Sequence, residues 1–288
     1  MLQCTEKVST PLSLRALSLV QIAEPDARLP ERSAEDSNEL ILLADHLEER
    51  LNEISSQLPT GSRLLYLAIS GSYGHGTNTE GSDIDIVGIY AGPVTSVLAD
   101  LPSKSSIVTT SPDAQIHEVG KFISLAIKGN PSLLEMLWSP VYYCDPEFAM
   151  FRECREMFIT QQMFNQYLGY CFAQVKHYRN KTHRWDYEQR KHKWVYHLVR
   201  CCMQAQMMLP GYTFLSDFRQ SPAVRLGLKG FKTGTTGLDN LDQLSALLEG
   251  IKSESLKLPR NVNEADLRLW LMQFRCNQLI EVLNAQSN

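Results

Sequence analysis

The chain has 288 residues, of which 43% are hydrophobic and 21% charged, the balance of a soluble globular protein. No uninterrupted apolar stretch approaches the roughly 18 residues that span a bilayer, which argues against a membrane protein. The seven cysteines include no CxxC pair. This argues against a disulfide framework, and we expect a reducing, cytoplasmic compartment.

Sequence patterns in the first half of the chain predict an α+β module over residues 37–146. Residues 1–36 show little periodicity and are expected to form an irregular N-terminal arm. Apolar residues then recur every three or four positions across 37–58, which is typical of an amphipathic helix. Short apolar or alternating runs predict three strands, at 64–69, 83–90 and 114–119.

Strand signals fade beyond about residue 147, and we expect residues 147–288 to form a helical module. Helical patterns cover three segments, at 148–180, 191–208 and 264–284. A stretch with glycine and threonine at 229–237 predicts a loop.

The net charge of −4 is unevenly distributed along the chain. The segment from Lys176 to Arg200 holds eight Lys or Arg and two acids, a net charge of +6, so the rest of the chain carries −10. A basic patch on an acidic protein predicts a focused anion site, for a polyphosphate or a short stretch of nucleic acid. Within it, Lys193, His197 and Arg200 lie at i, i+4 and i+7, along one helical stripe. Facing a cleft, this stripe would bind a triphosphate; otherwise it is a surface face or pairs with acidic residues.

The densest chemical signal is Gly71-Ser72 followed, after ten intervening residues, by Asp83-Ile84-Asp85. Two aspartates two apart on a strand project from the same face, and their repulsion favours a hard divalent cation such as Mg²⁺. The glycine-rich turn can bring backbone N–H groups and the Ser72 hydroxyl close to phosphate oxygens. Metal at the carboxylates and phosphate at the turn are what phosphoryl transfer from a nucleoside triphosphate requires.

This arrangement resembles the polymerase-β-type nucleotidyltransferase superfamily, whose signature is a Gly-Ser turn and then Asp-x-Asp on the next strand. Three further segments are similar to motifs of its RlaP-like branch: residues 116–122, residues 130–140 and the later Lys193-x-x-x-His197-x-x-Arg200. This branch is named for a proposed link to RNA repair. The likeness covers roughly residues 64–210, about half of the chain. It implies a small mixed-sheet nucleotidyltransferase domain followed by a helical domain.

The resemblance implies that Asp83 and Asp85 are catalytic metal ligands. The superfamily usually adds a third carboxylate from a neighbouring strand, often the base that activates the attacking hydroxyl. Both Glu118 and Asp113 are open for this role. We expect Glu118, because it ends a strand with apolar flanks; its alternative role is an acid that stabilises a helix N-terminus.

These observations predict a magnesium-dependent nucleotidyltransferase that moves a nucleoside monophosphate from a nucleoside triphosphate to an acceptor hydroxyl. The expected nucleotide-binding residues are Gly71, Ser72, Lys193, His197 and Arg200. An RNA end is the preferred acceptor, because of the basic segment and the name of the branch. The alternatives are a small-molecule or protein acceptor, and a catalytically idle nucleotide- or RNA-binding module. The sequence leaves the selected base and the oligomeric state open.

Overall fold

The computed structural model describes residues 50–99, 104–110, 113–180, 187–211, 213–237 and 241–287. The expected N-terminal arm and the first part of the expected helix at 37–58 lie outside these ranges. Residues 50–57 are helical and are called α1 here.

A five-stranded mixed sheet forms the first part of the described structure. Its strands are β1 (Arg63–Ser70), β2 (Asp85–Ala91), β3 (Ser106–Thr110), β4 (Asp113–Glu118) and β5 (Val141–Cys144). They are ordered β3-β4-β2-β1-β5, and only β2 and β4 run parallel; the other neighbours are antiparallel. The predicted strands are therefore present, and β3 and β5 add to them.

Helices make up most of the remainder, which confirms the α+β class. They are α2 (Gly71–Gly74), α3 (Val94–Leu98), α4 (Val119–Ile127), α5 (Pro131–Leu134), α6 (Pro146–Glu153), α7 (Gln161–Asn180), α8 (Tyr187–Met207), α9 (Pro222–Thr233), α10 (Leu241–Glu254) and α11 (Glu264–Gln286). The prediction of a loop at 229–237 is wrong for its first five residues, because α9 continues to Thr233. Gly234 caps the helix with a left-handed φ of 78°. Within the described ranges, no helix combines the length and the apolar character needed to cross a bilayer.

Side-chain alternation along β2 separates the two cores of the protein. Val87 and Ile89 belong to a large core shared with the helices, whereas Ile86 and Tyr90 belong to a smaller core covered by α1. Asp85, one residue before Ile86, therefore projects to the helical side of the sheet. The large core runs without a break past residue 146, so the division into two domains at that point stays a prediction.

The long helix α8 packs between α7 and α9. It lines one cavity together with the C-terminal end of β1 and the N-terminal end of β2. This packing positions the basic stripe of α8 opposite the turn that follows β1.

Candidate active site

The turn after β1 is built around close backbone packing at Gly71. Gly71 has a φ of +59°, in the left-handed region that favours glycine. A Cβ at this position would lie 1.8 Å from Oδ2 of Asp85, so the aspartate carboxylate packs directly on the glycine backbone. The short helix α2 then closes with hydrogen bonds from the His75 N–H to the Gly71 carbonyl (3.0 Å) and from the Thr77 N–H to the Ser72 carbonyl (2.8 Å). Any side chain at Gly71 would displace the carboxylate.

Three carboxylates lie close together at the start of β2 and β4. Asp83 precedes the strand and is exposed, whereas Asp85 opens the strand and is half-buried. The parallel register pairs Ile86 with Ala114, which places Asp113 beside Asp85 on the same face. Burial, then the charges of Asp113 and Asp83, raise the pKa of Asp85, while Lys193 and Lys232 oppose the rise. This mutual repulsion is the electrostatic setting in which a cation binds.

Glu118 does not belong to this group, which corrects the expectation that it supplies the third carboxylate. It lies five residues along β4 from Asp113, a separation of about 16 Å along a strand. Its carboxylate caps α4 by accepting from the Gly120 N–H (2.7 Å), and it forms an ion pair with Arg275 of α11. One carboxylate oxygen therefore caps α4, and the other joins the sheet to the last helix. The alternative, Asp113, lies beside Asp85.

A cavity of about 920 Å³ opens between the sheet end and α8. The structure brings seven of the eight residues predicted for the site into its lining: Gly71, Ser72, Asp83, Asp85, Lys193, His197 and Arg200. The volume falls within the range of about 300–1,000 Å³ typical of small-molecule sites. The basic stripe of α8 therefore faces the aspartates across one shared cavity.

Arg200 lines this cavity but is engaged by a buried acid. Its Nη1 lies 3.2 Å and 3.3 Å from the two carboxylate oxygens of Glu135 and donates to the side-chain oxygen of Gln204 at 2.6 Å. Burial would raise the pKa of Glu135, but the charge of Arg200, and then the hydrogen bond from the Tyr167 hydroxyl, hold it below its ordinary value. Glu135 is therefore an ionised, buried partner of Arg200. This geometry favours the alternative role of Arg200, pairing with an acid, over direct binding of phosphate.

Two histidines beside this pair carry no charge at neutral pH. Burial, then the neighbouring Arg200, lower the pKa of His75 to about 4, and the same two causes lower the pKa of His197 to about 3. His75 Nδ1 lies 2.8 Å from the Ser216 carbonyl, which only accepts, so Nδ1 carries the proton. His197 can thus offer hydrogen bonds to a ligand but contributes no positive charge.

Lys232 of α9 is a residue of the cavity that the sequence reasoning missed. Its Nζ donates to the Thr77 carbonyl (3.1 Å) and to the Ser82 hydroxyl (3.2 Å), and it lies 5.9 Å from the centre of the Tyr196 ring. Burial, then the nearby Lys193, lower its pKa. Lys193 itself is exposed at the cavity wall. Among the described residues, Lys193 and Lys232 are the cations that oppose the rise in the pKa of Asp85.

The donor set at the aspartates is suited to magnesium. Among the described residues, no three acidic, histidine or cysteine side chains are arranged to hold a metal ion. Proteins commonly bind Mg²⁺ through one or two carboxylates, with water and substrate phosphates completing the octahedron. Asp83 and Asp85 beside an open cavity match that pattern, in which the nucleotide itself supplies ligands.

The chain matches a known protein family over most of the residues that line this cavity. A model of a family described as the RNA repair pathway DNA polymerase beta family, RlaP, matches residues 43–215, more than half of the chain. The matched span includes the Gly-Ser turn, both aspartates and the basic stripe of α8, and it ends before Lys232. No curated protein matches the chain.

Proposed function

The chain belongs to the RNA repair pathway DNA polymerase beta family and is a polymerase-β-like nucleotidyltransferase, and from this premise we propose its detailed reaction. It transfers a nucleoside monophosphate from a nucleoside triphosphate to a hydroxyl at an RNA end, in a magnesium-dependent reaction that releases pyrophosphate. Asp83 and Asp85 hold the metal. Gly71, Ser72, Lys193 and Lys232 hold the triphosphate.

One observation carries this proposal: a single cavity joins the two aspartates, the Gly-Ser turn and two lysines. A triphosphate with one bound magnesium still carries about two negative charges, which the aspartates alone would repel. Lys193 and Lys232 are the cations that act on Asp85, so they supply the compensating charge. Opposite charges on facing walls allow metal and phosphate to bind between them.

In this proposal each group has a separate task during transfer. When bound at Asp83 and Asp85, Mg²⁺ would neutralise phosphate charge and favour in-line attack by the acceptor hydroxyl. The turn at Gly71 and Ser72 orients the phosphates through backbone N–H groups and a hydroxyl. Asp113, beside Asp85 on the neighbouring strand, accepts the proton of the attacking hydroxyl.

RNA is the proposed acceptor for two reasons. The description of the family names an RNA repair pathway. The net charge of +6 between Lys176 and Arg200 attracts a polyanion. In the described part of this segment Lys176 is exposed to solvent. An acceptor strand that leaves the cavity beside Lys193 of α8 would contact part of this basic segment.

Transfer of label identifies the acceptor. The protein is incubated with each of the four nucleoside triphosphates, labelled at the α-phosphate, with Mg²⁺ and a mixture of RNA, DNA and protein, and the fractions are separated. We expect covalent label in the RNA fraction. Label in protein or in a small molecule would replace the acceptor but keep the chemistry, and triphosphate binding without transfer to any fraction would indicate an idle binding module.

A further inference from the structure

Charged residues divide the cavity into two unlike ends. The charged end contains Asp83, Asp85, Lys193 and Lys232. The aromatic end adjoins the Glu135–Arg200 pair, because Tyr167 donates to Glu135 and both charges act on Tyr170. Its lining comprises Pro131 and Ser132 of α5 and Gln166, Tyr167 and Tyr170 of α7. A ligand that fills both ends must therefore join a strongly anionic part to a part that tolerates a neutral, aromatic surface.

The charged residues near the aromatic end neutralise one another. Glu135 and Arg200 form a buried ion pair, and the hydroxyl of Tyr167 donates to the same carboxylate. Nε2 of His75 lies 3.8 Å from Oε2 of Glu135, and this histidine, being neutral at pH 7, adds no charge. A phosphate placed there would find no free cation among these described side chains, whereas an uncharged, polar and planar group would not be repelled.

Gln166 and Tyr170 form the exposed wall of the aromatic end. They are four residues apart on α7, so their side chains lie on the same face of the helix. Tyr170 is 42% exposed although it lines the cavity, and Gln166 is also exposed. A half-exposed aromatic ring beside an amide offers a stacking surface and a pair of hydrogen-bonding groups.

On the basis of the nucleotidyl transfer proposed above, we propose that the aromatic end is a nucleoside subsite. The base of the nucleoside triphosphate packs on the ring of Tyr170, and the amide of Gln166 contacts the edge of the base. The phosphates then extend past Arg200 toward the Gly-Ser turn and the two aspartates. Stacking on Tyr170 favours every base, so discrimination between bases depends on Gln166.

Equilibrium binding of two ligands tests the subsite without any transfer. One ligand is a non-hydrolysable nucleoside triphosphate, and the other is inorganic tripolyphosphate, which lacks the nucleoside; both are titrated with Mg²⁺. Tyr170→Ala should weaken nucleotide binding by roughly 5- to 150-fold, the effect of losing one base–aromatic contact, and leave tripolyphosphate binding unchanged. Tyr170→Phe should bind both ligands like the wild type. Gln166→Ala should change the ranking of the four bases.

Asn165→Ala is the matched control, because Asn165 is exposed on the same helix and does not line the cavity. It should bind both ligands normally. Equal weakening of both ligands by Tyr170→Ala would show that Tyr170 supports the cavity as a whole and would overturn the subsite, as would unchanged nucleotide binding. Loss of transfer in the wild type with Tyr170-dependent binding intact would instead overturn only the reaction proposed above.

Discussion

Two groups of charged residues lie in the same cavity and differ in how they are used. Asp83 and Lys193 are exposed at the cavity wall, and Asp85 is only half-buried. Glu135 and Arg200 are largely buried and directly paired, with side-chain exposures of 14% and 11%. Accessible charges can exchange water for a metal or a phosphate, whereas a buried ion pair cannot be opened without leaving an uncompensated charge. The first group is therefore suited to chemistry, and the second to holding α8 against the segment between α5 and β5.

The largest effect should come from breaking the buried pair. Arg200→Ala leaves Glu135 buried without its cation, and the free energy of unfolding should fall by about 3–5 kcal/mol. Urea unfolding measures this loss. A double variant, Glu135→Leu with Arg200→Met, should recover part of it. Wild-type stability combined with weak triphosphate binding in Arg200→Ala would instead make Arg200 the phosphate ligand that its place in the basic stripe suggested.

Removing one accessible carboxylate should affect the reaction rather than the fold. Asp85→Asn and Asp83→Asn should each slow nucleotidyl transfer by two to three orders of magnitude, about 3–4 kcal/mol, since each removes a preorganised charge. The melting temperature should not fall, because neutralising Asp85 relieves repulsion from Asp83 and Asp113.

Glu118→Gln is the matched control for these variants. It also removes a carboxylate, but one that caps α4 and pairs with Arg275. We expect lower stability and, while the protein is folded, a normal transfer rate. A transfer defect as large as that of Asp85→Asn, with unchanged stability, would restore Glu118 to the catalytic group.

Removing either of the two cavity lysines should have a smaller effect, on the affinity for the triphosphate. Lys193→Ala or Lys232→Ala should weaken triphosphate binding by about 1.5–3 kcal/mol, the contribution of a hydrogen bond to a charged group. Titration of a non-hydrolysable triphosphate, without acceptor, measures it. Lys252→Ala, an exposed lysine on α10 outside the cavity, should bind normally. If the lysines contact only the acceptor, triphosphate affinity will not change and RNA affinity will fall with a steep salt dependence.

The neutral histidines should make the free energy of unfolding depend on pH. His75 has a lowered pKa of about 4 in the folded protein, against about 6.5 in the unfolded chain. Between these values the unfolded state binds more protons, so stability should fall as pH decreases, by up to about 1.4 kcal/mol per pH unit from His75. The lowered pKa of Glu135 acts only below the ordinary carboxyl range. Urea unfolding at pH 7, 6 and 5 should show a shallower slope for His75→Gln, and identical slopes would contradict the buried neutral ring.

Local spacing was sufficient to predict the parts of the site that depend on one strand and its turn. Gly71 directly follows β1, and Asp85 opens the adjacent antiparallel strand β2. The ten residues between Ser72 and Asp83 suffice to reverse the chain. The sequence placed Asp83 inside the strand, whereas it lies just before it. Asp83 still lines the cavity together with Asp85, although it lies outside the strand.

Residues whose roles depend on distant partners could not be predicted from spacing. Glu135 lies 65 residues before Arg200, and the two side chains pair only when α8 packs beside the segment that contains Glu135. Glu118 resembled a catalytic acid because nothing nearby in the sequence reveals Arg275, 157 residues later. The sequence predicts a loop at 229–237, which includes Lys232, and only the packing of α9 brings this lysine to Ser82.

Transfer of an α-phosphate label to RNA, compared between the wild type and Asp85→Asn, tests the central claim most directly. The wild type with Mg²⁺ should place the label covalently on RNA and release pyrophosphate. The variant should do so at least about 100-fold more slowly, with unchanged thermal stability, and EDTA should abolish transfer by both. Equal rates in the two proteins, or label released only as free nucleotide, would contradict nucleotidyl transfer at the aspartate pair.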